Sequence, residues 1–208
     1  MRSPTHEGCC ARAEDMRWGA NLPAMSEGRS GHDATLLRMT VNGAPVEVAV
    51  APHHTLLEVL RYQLDLIGSK QGCDKGDCGA CTVQIDGRPQ LACLTLGLHA
   101  HGRAVTTVEG LGLLAGGCHP LQDAFDRWNA AQCGFCTPGI LMSAEALVRR
   151  AGRPVTSGEV REALAGNLCR CTGYTKIIDA VVDASNVMHG RAPATSESES
   201  SSESEAAE

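Results

Sequence analysis

Short runs of apolar and β-branched residues in the first half of the chain follow the pattern of β-strands. These runs occupy residues 36–41, 46–50, 82–85, 88–94 and 104–108. Asn42-Gly43 and Asp86-Gly87 each separate two consecutive runs, and such pairs are typical of tight hairpin turns. Thr55-x-x-Glu58 is a capping box before an apolar helical face, so a helix should follow Thr55. Strands wrapped on one helix predict an α+β domain.

The apolar spacing changes to a helical period after residue 117. Four helices are predicted, at residues 120–130, 138–150, 156–165 and 174–189. Pro138 suits the first turn of a helix, Thr156-x-x-Glu159 is a second capping box, and Gly166 is a suitable helix stop. We therefore expect a small four-helix bundle after the α+β domain.

These patterns divide the chain into five segments. We expect a disordered N-terminal extension at 1–34, an α+β domain at 35–110, a linker at 111–117, a helical domain at 118–190 and a disordered acidic tail at 191–208. The tail holds five glutamates among serines and alanines between residues 195 and 208. Such a segment cannot bury enough apolar surface to offset its ordering entropy.

Composition excludes several classes of partner. The formal net charge is -6, aromatic residues make up 3% of the chain, and no basic run is present, so nucleic acid is not expected as a partner. No stretch reaches the roughly 18 apolar residues that a membrane span needs, so no membrane insertion is expected. Residues 1–34 contain neither a secretory nor a twin-arginine signal, which predicts a cytoplasmic protein. In that compartment, the 11 cysteines indicate metal or redox chemistry rather than disulfides.

The first group of cysteines is Cys73-x4-Cys78-x2-Cys81, completed by Cys93. Its opening has the spacing of plant-type ferredoxins, in which four thiolates hold one two-iron, two-sulfide cluster. The surrounding glycines free the backbone to curl round an anionic cluster with its N–H groups toward the sulfurs. The alternative is zinc, which usually uses two C-x2-C pairs and does not need the x4 gap.

The second group is Cys133-x2-Cys136 and Cys169-x-Cys171, placed at the boundaries of the predicted helices. Alone, this pattern also fits a zinc knuckle or a dithiol redox motif. The ferredoxin-like group upstream favours a second iron–sulfur cluster, because electron relays need centres in series. Cys9, Cys10 and Cys118 belong to neither group and receive no role.

Three motifs together carry a resemblance to a known family. They lie at residues 72–83 (GCDKGDCGACTV), 132–139 (QCGFCTPG) and 166–174 (GNLCRCTGY). In order and spacing, across about residues 36–188, they resemble the iron–sulfur subunit of molybdenum hydroxylases, the family of xanthine dehydrogenase, aldehyde oxidoreductase and carbon monoxide dehydrogenase.

The resemblance implies a β-grasp plant-type ferredoxin domain followed by a four-helix domain, each with one [2Fe-2S] cluster. It further implies that Gln132 and Cys171 lie against a molybdenum–pterin cofactor. That cofactor would be carried by a large partner subunit and FAD by a medium one, in a heterotrimer or a dimer of heterotrimers. This chain would relay electrons between them and would hold no substrate site. A free-standing ferredoxin or an iron–sulfur redox sensor is the alternative, although a ferredoxin needs only the first domain. A zinc-stapled interaction module is a third possibility.

Overall fold

The computed structural model describes residues 34–193. The first part is a five-stranded sheet with the order β2-β1-β5-β3-β4. Its strands are β1 (Thr35–Val41), β2 (Ala44–Val50), β3 (Thr82–Ile85), β4 (Arg88–Leu91) and β5 (Ala104–Thr106). Strands β1 and β5 are parallel, and all other neighbours are antiparallel. Cys9, Cys10, the predicted N-terminal disorder up to residue 33 and the tail from residue 194 lie outside the described residues.

Both predicted hairpin turns are confirmed. Asn42 and Gly43 have φ angles of 51° and 84°, and Asp86 and Gly87 have 49° and 74°. Two successive residues with positive φ form the turn type whose twist matches that of antiparallel strands. The two turns therefore set the registers of β1 with β2 and of β3 with β4.

One helical segment packs under the sheet, where the capping box predicted it. Helix α1 (Leu56–Glu58) begins with the backbone N–H of Glu58 donating to Thr55 Oγ1 at 3.2 Å. It continues as a wider π-helical segment, Val59–Gln63. The fully buried side chains of Leu37, Leu56, Leu60 and Val83 form the centre of the core between helix and sheet.

Several boundaries differ from the sequence prediction, and the structure gives the reason for two of them. Strand β4 ends at Leu91 rather than at residue 94, because the backbone N–H of Leu94 turns back to the Leu91 carbonyl oxygen at 3.0 Å. The stretch 111–117, predicted as a linker, contains a short helix, α2 (Leu111–Ala115). Leu111 is fully buried among the residues of the helical core, so this stretch packs against the helices as well as connecting the two parts.

The second part consists of the four predicted helices. They are α3 (Pro120–Arg127), α4 (Thr137–Ala151), α5 (Ser157–Ala163) and α6 (Thr175–Met188). Leu121, Ile140 and Ile177 lie in their shared core, and α4 also packs against β3. The α+β fold class is confirmed, with a β-grasp sheet followed by a helical domain. Within residues 34–193 the longest helices are too short or too polar to cross a membrane.

Candidate functional site

The first cysteine group lies in a curled loop between the π-helical segment and β3, with Cys93 in the turn after β4. Asp74, Gly76 and Gly79 have φ angles of 55°, 88° and 71°, which bend the loop back on itself. Cys81 and Cys93 are buried, whereas Cys73 and Cys78 are half-buried. The loop therefore holds two sulfurs inside the domain and two near its surface.

Backbone N–H groups surround the sulfurs of this loop. Hydrogen bonds from the N–H groups of Lys75 and Cys78 to the Cys73 sulfur lower the pKa of that thiol to about 7. Burial raises the pKa of Cys93 to about 12, although the N–H of Gly76 donates to its sulfur. When a metal binds a buried thiol, the thiol loses its proton. N–H donors then stabilise the anionic sulfur. This donor set fits a [2Fe-2S] cluster.

The four sulfurs of the first group come in two pairs. Side-chain hydrogen bonds join Cys73 to Cys78 and Cys81 to Cys93. Two pairs of thiolates are what a cluster with two irons requires, because each iron takes two protein ligands.

The second cysteine group is brought together from two loops, as its sequence position predicted. Cys133 and Cys136 lie between α3 and α4, and Cys169 and Cys171 lie between α5 and α6. The Cys133 and Cys171 sulfurs are 3.6 Å apart, and Cys136 pairs with Cys169 through a side-chain hydrogen bond. This group therefore repeats the arrangement of two pairs.

Polar groups fix the Cys169 loop. The Cys169 sulfur lies 3.1 Å from Thr172 Oγ1. The backbone N–H of Cys169 donates to the Tyr174 hydroxyl at 2.7 Å, and that hydroxyl donates to the Asn167 carbonyl oxygen at 2.9 Å. Burial raises the pKa of Cys136 to about 12, so this thiol stays protonated unless a metal binds. Burial acts on its partner Cys169 as well, but hydrogen bonds from Thr172 and from neighbouring backbone N–H groups outweigh it and lower the pKa of that thiol.

The outer side of the second group is open to solvent. Cys133 and Cys171 are both exposed, and so is Gln132. Two large apolar side chains beside them, Phe135 and Leu168, are 45% and 56% exposed. The residues that the resemblance placed against a pterin thus share one accessible surface with two apolar neighbours.

The two cysteine groups are joined by direct contacts between their loops. The backbone N–H of Leu168 donates to the carbonyl oxygen of Cys78 at 2.9 Å. Phe135 lies over Gly72, since a Cβ built on Gly72 would be 3.3 Å from its ring. Cys78 of the first group is therefore joined by one hydrogen bond to Leu168, the residue that precedes Cys169 of the second group.

A polar network whose centre, Gln84 and Glu145, is buried joins the same two domains farther from the cysteines. Gln84 on β3 donates to the Met142 carbonyl oxygen at 3.0 Å and also to the Glu145 carboxylate. Arg149 bonds Glu145 Oε1 at 2.9 Å and donates to Gln84 Oε1 at 3.2 Å. Each of these side chains has its partner on the other domain or in the same network, so the domain interface is held by specific hydrogen bonds.

Asn167 and the Gln84–Glu145–Arg149 network were missed by the sequence interpretation. Asn167 stands inside the quoted 166–174 motif, and a polar residue beside a ligand was the available signal. Gln84 and Glu145 lie in none of the three cysteine motifs, so no sequence pattern gave a reason to select them. Cys118 is exposed and lies in neither cysteine group. Among residues 34–193, no three His, Cys, Asp or Glu side chains are arranged to hold a single metal ion.

Comparison with protein families matches both domains. Residues 39–97 match the family described as "2Fe-2S iron-sulfur cluster binding domain", and residues 107–182 match the "[2Fe-2S] binding domain" family. Both descriptions name the same type of cluster. They decide against the zinc and dithiol interpretations that the spacing of the second group left open.

Several known proteins are similar over most of the chain. The nicotine 6-hydroxylase small subunit of Paenarthrobacter nicotinovorans is 49% identical over 155 residues, which is 74% of this chain and 92% of that protein. The xanthine dehydrogenase iron-sulfur-binding subunit of Escherichia coli O157:H7 is 43% identical over 154 residues, 73% of this chain and 96% of its own. A chain of quinoline 2-oxidoreductase from Pseudomonas putida 86 superposes with a TM-score of 0.70 at 43% identity, covering 76% of this chain and 99% of that one.

These matches include both domains in the same order and leave almost none of the small-subunit relatives uncovered. Two of these relatives are named as subunits, the small subunit of nicotine 6-hydroxylase and the iron-sulfur-binding subunit of xanthine dehydrogenase. The chain therefore belongs to the family of [2Fe-2S] electron-transfer small subunits of molybdenum hydroxylases.

Proposed function

We propose that each cysteine group holds one [2Fe-2S] cluster and that the chain passes electrons from one group to the other. The carrying observation is the 2.9 Å hydrogen bond between the Leu168 N–H and the Cys78 carbonyl oxygen. It links a ligand of the first group to the neighbour of Cys169 in the second. A bound [2Fe-2S] cluster supplies reversible one-electron chemistry.

The ligands in this proposal are the eight cysteines of the two groups. The first cluster is held by the pairs Cys73/Cys78 and Cys81/Cys93, and the second by Cys133/Cys171 and Cys136/Cys169. Within the first group, N–H donors stabilise the thiolate ligands, and the burial of Cys81 and Cys93 excludes water from one side.

The relay has two different ends. We assign the exposed face with Gln132 and Cys171 to the molybdenum–pterin cofactor of a large partner subunit. Its exposure and its apolar neighbours Phe135 and Leu168 support a contact with another protein. The first cysteine group, on the other domain, faces the FAD of a medium partner subunit in the same proposal.

The assembly is a heterotrimer, or a dimer of heterotrimers, in which the substrate binds to the large subunit. A cytoplasmic location is part of the proposal. It is supported by the nine cysteines within residues 34–193, none of which is joined in a disulfide.

Metal and sulfide analysis of the purified chain tests the cluster assignment. With two [2Fe-2S] clusters, the protein contains four irons and four acid-labile sulfides, and it gives two distinct paramagnetic signals after reduction. Two zinc ions and no labile sulfide would overturn the proposal. Purification of the native complex tests the partners, because a chain that purifies without molybdenum and flavin subunits would be a free-standing ferredoxin or sensor.

A further inference from the structure

We propose that Asn167 is a positioning residue that fixes the separation of the two cysteine loops and thereby sets the rate of electron transfer between the two clusters. The inference rests on the proposed ligation of one cluster by each cysteine group. Asn167 is close to Cys169 in the sequence, and its side chain also contacts the cysteine loop of the other domain.

The Asn167 amide bridges the two domains with all of its polar atoms engaged. The side chain is buried, and its Nδ2 donates to the Gly79 carbonyl oxygen at 3.0 Å and to Thr82 Oγ1 at 3.3 Å. Its Oδ1 accepts a hydrogen bond from Ser143 Oγ at 2.8 Å. The donors therefore hold the first domain, while the acceptor is anchored on helix α4 of the second.

These bonds attach to the chain next to the proposed ligands on both sides. Gly79 lies between Cys78 and Cys81, and Asn167 comes two residues before Cys169. The following residue, Leu168, adds the backbone hydrogen bond to Cys78 at 2.9 Å. A shift of the Asn167 side chain would therefore change the hydrogen-bonded connection between the two groups directly.

The loop at Gly79 is tightly packed against the segment Gly166-Asn167. A Cβ built on Gly79 would lie 2.2 Å from the Gly166 carbonyl oxygen and 2.7 Å from Asn167 Nδ2. The two backbones already touch, so a replacement at Asn167 that repels Gly79 must push the loops apart. The Thr82 hydroxyl, which also donates to Gly79 O at 2.7 Å, keeps the carbonyl oriented toward the amide.

Asn167→Asp is the sharpest substitution. It keeps the size of the side chain but replaces the N–H donors with a carboxylate oxygen that faces the Gly79 carbonyl oxygen, so two acceptors oppose each other. Ser185→Ala is the matched control. It also removes a buried hydrogen bond, from the Val155 N–H to Ser185 Oγ at 3.0 Å, but that bond lies within the helical domain and away from both loops.

The full-length chain with both clusters loaded is used for the test. Three quantities are measured: iron and sulfide content, the magnetic splitting between the two dithionite-reduced clusters, and the rate of intercluster electron transfer after a flash-generated one-electron reduction. We expect Asn167→Asp to keep four irons and both signals, to change the splitting and to slow the transfer several-fold. Ser185→Ala should lower the unfolding temperature while the splitting and the rate stay at wild-type values.

Asn167→Ala, which removes the amide without adding charge, is measured in the same way in case the aspartate variant does not fold. A loaded variant with unchanged splitting and unchanged rate would overturn the proposal. So would loss of a cluster in both variants, since Asn167 would then be needed for ligation rather than for separation. A wild-type chain without two clusters would instead refute the ligation on which the inference rests.

Discussion

Gly139, in the first turn of α4, packs directly against the backbone of Gly79 in the first cysteine loop. A Cβ built on Gly139 would lie 2.3 Å from the Gly79 carbonyl oxygen and 3.2 Å from the Cα of Ala80. Both are backbone atoms that cannot rotate away. The absence of a side chain at Gly139 thus allows the helix that follows Cys136 to reach the loop that contains Cys78 and Cys81.

We expect Gly139→Ala to destabilise the protein by about 1–3 kcal/mol, because the added methyl group forces the domains apart. Gly158→Ala is the control. Gly158 lies in the first turn of α5, where an added Cβ would meet only Thr156 Oγ1 at 3.9 Å. That change should be neutral or stabilising by about 0.5–1 kcal/mol. Thermal unfolding followed by circular dichroism measures both, and equal melting temperatures for the two variants would contradict the packing argument.

Glu145→Ala should weaken the domain interface. The carboxylate is buried and bonds both Gln84 and Arg149. Its removal leaves Gln84 Nε2 with only one acceptor, a backbone carbonyl oxygen, and removes the carboxylate partner of Arg149. The expected loss is about 1–3 kcal/mol, which corresponds to several degrees in the unfolding midpoint. Glu47→Ala removes an exposed ion pair with Arg38 and should cost less than about 1 kcal/mol. Equal unfolding midpoints for the two alanine variants would show that Glu145 does not stabilise this interface.

His119 makes stability depend on pH. Its Nδ1 accepts a hydrogen bond from the Leu121 N–H at 3.2 Å at the start of α3, and burial holds its pKa below the ordinary value although the Glu145 carboxylate acts in the opposite direction. The unfolded chain therefore takes up a proton more readily than the folded one. The stabilisation is complete above the ordinary histidine pKa of about 6.5 and is lost as the pH falls below it.

His119→Asn keeps a cap acceptor but cannot titrate in this range. As the pH falls from about 7 to about 5.5, the unfolding temperature of the wild type should therefore decrease more than that of His119→Asn. If the difference between the two unfolding temperatures is the same at both pH values, protonation of His119 does not affect the stability of the fold.

Gln132→Ala tests the proposed pterin-facing surface. Gln132 is exposed, so the variant should keep both clusters and its thermal stability. In the assembled complex, reduction of the clusters by substrate should become slower. Gln90→Ala changes the same residue type at an exposed position on β4 and should leave that rate unaltered. Equal rates for the two variants would remove Gln132 from the electron path.

Local features of this fold could be predicted from sequence, whereas contacts between its domains could not. Asn42-Gly43 and Thr55-x-x-Glu58 act through neighbouring residues, so their turn and helix cap were predicted correctly. The cysteine groups were predictable because ligand spacing is itself a local pattern. The Asn167–Gly79 bond joins residues 88 apart, and nothing in either segment specifies the other.

Two smaller differences have the same origin. The apolar spacing after Thr55 is compatible with any helix type, so the π-helical segment Val59–Gln63 was not distinguishable from an α-helix. The glycine- and leucine-rich stretch 111–117 was predicted as a linker from its composition. Burial of Leu111 in the helical core, a tertiary effect, orders part of it as α2.

In the proposed function, the two cysteine groups hold two separate clusters. Electron paramagnetic resonance of the reduced Cys78→Ser and Cys136→Ser variants tests it most directly, because each substitution removes a ligand from one group only. We predict that Cys78→Ser loses one of the two signals, that Cys136→Ser loses the other, and that each variant keeps about half of the iron. Loss of both signals in either variant, or of the same signal in both, would contradict two independent sites.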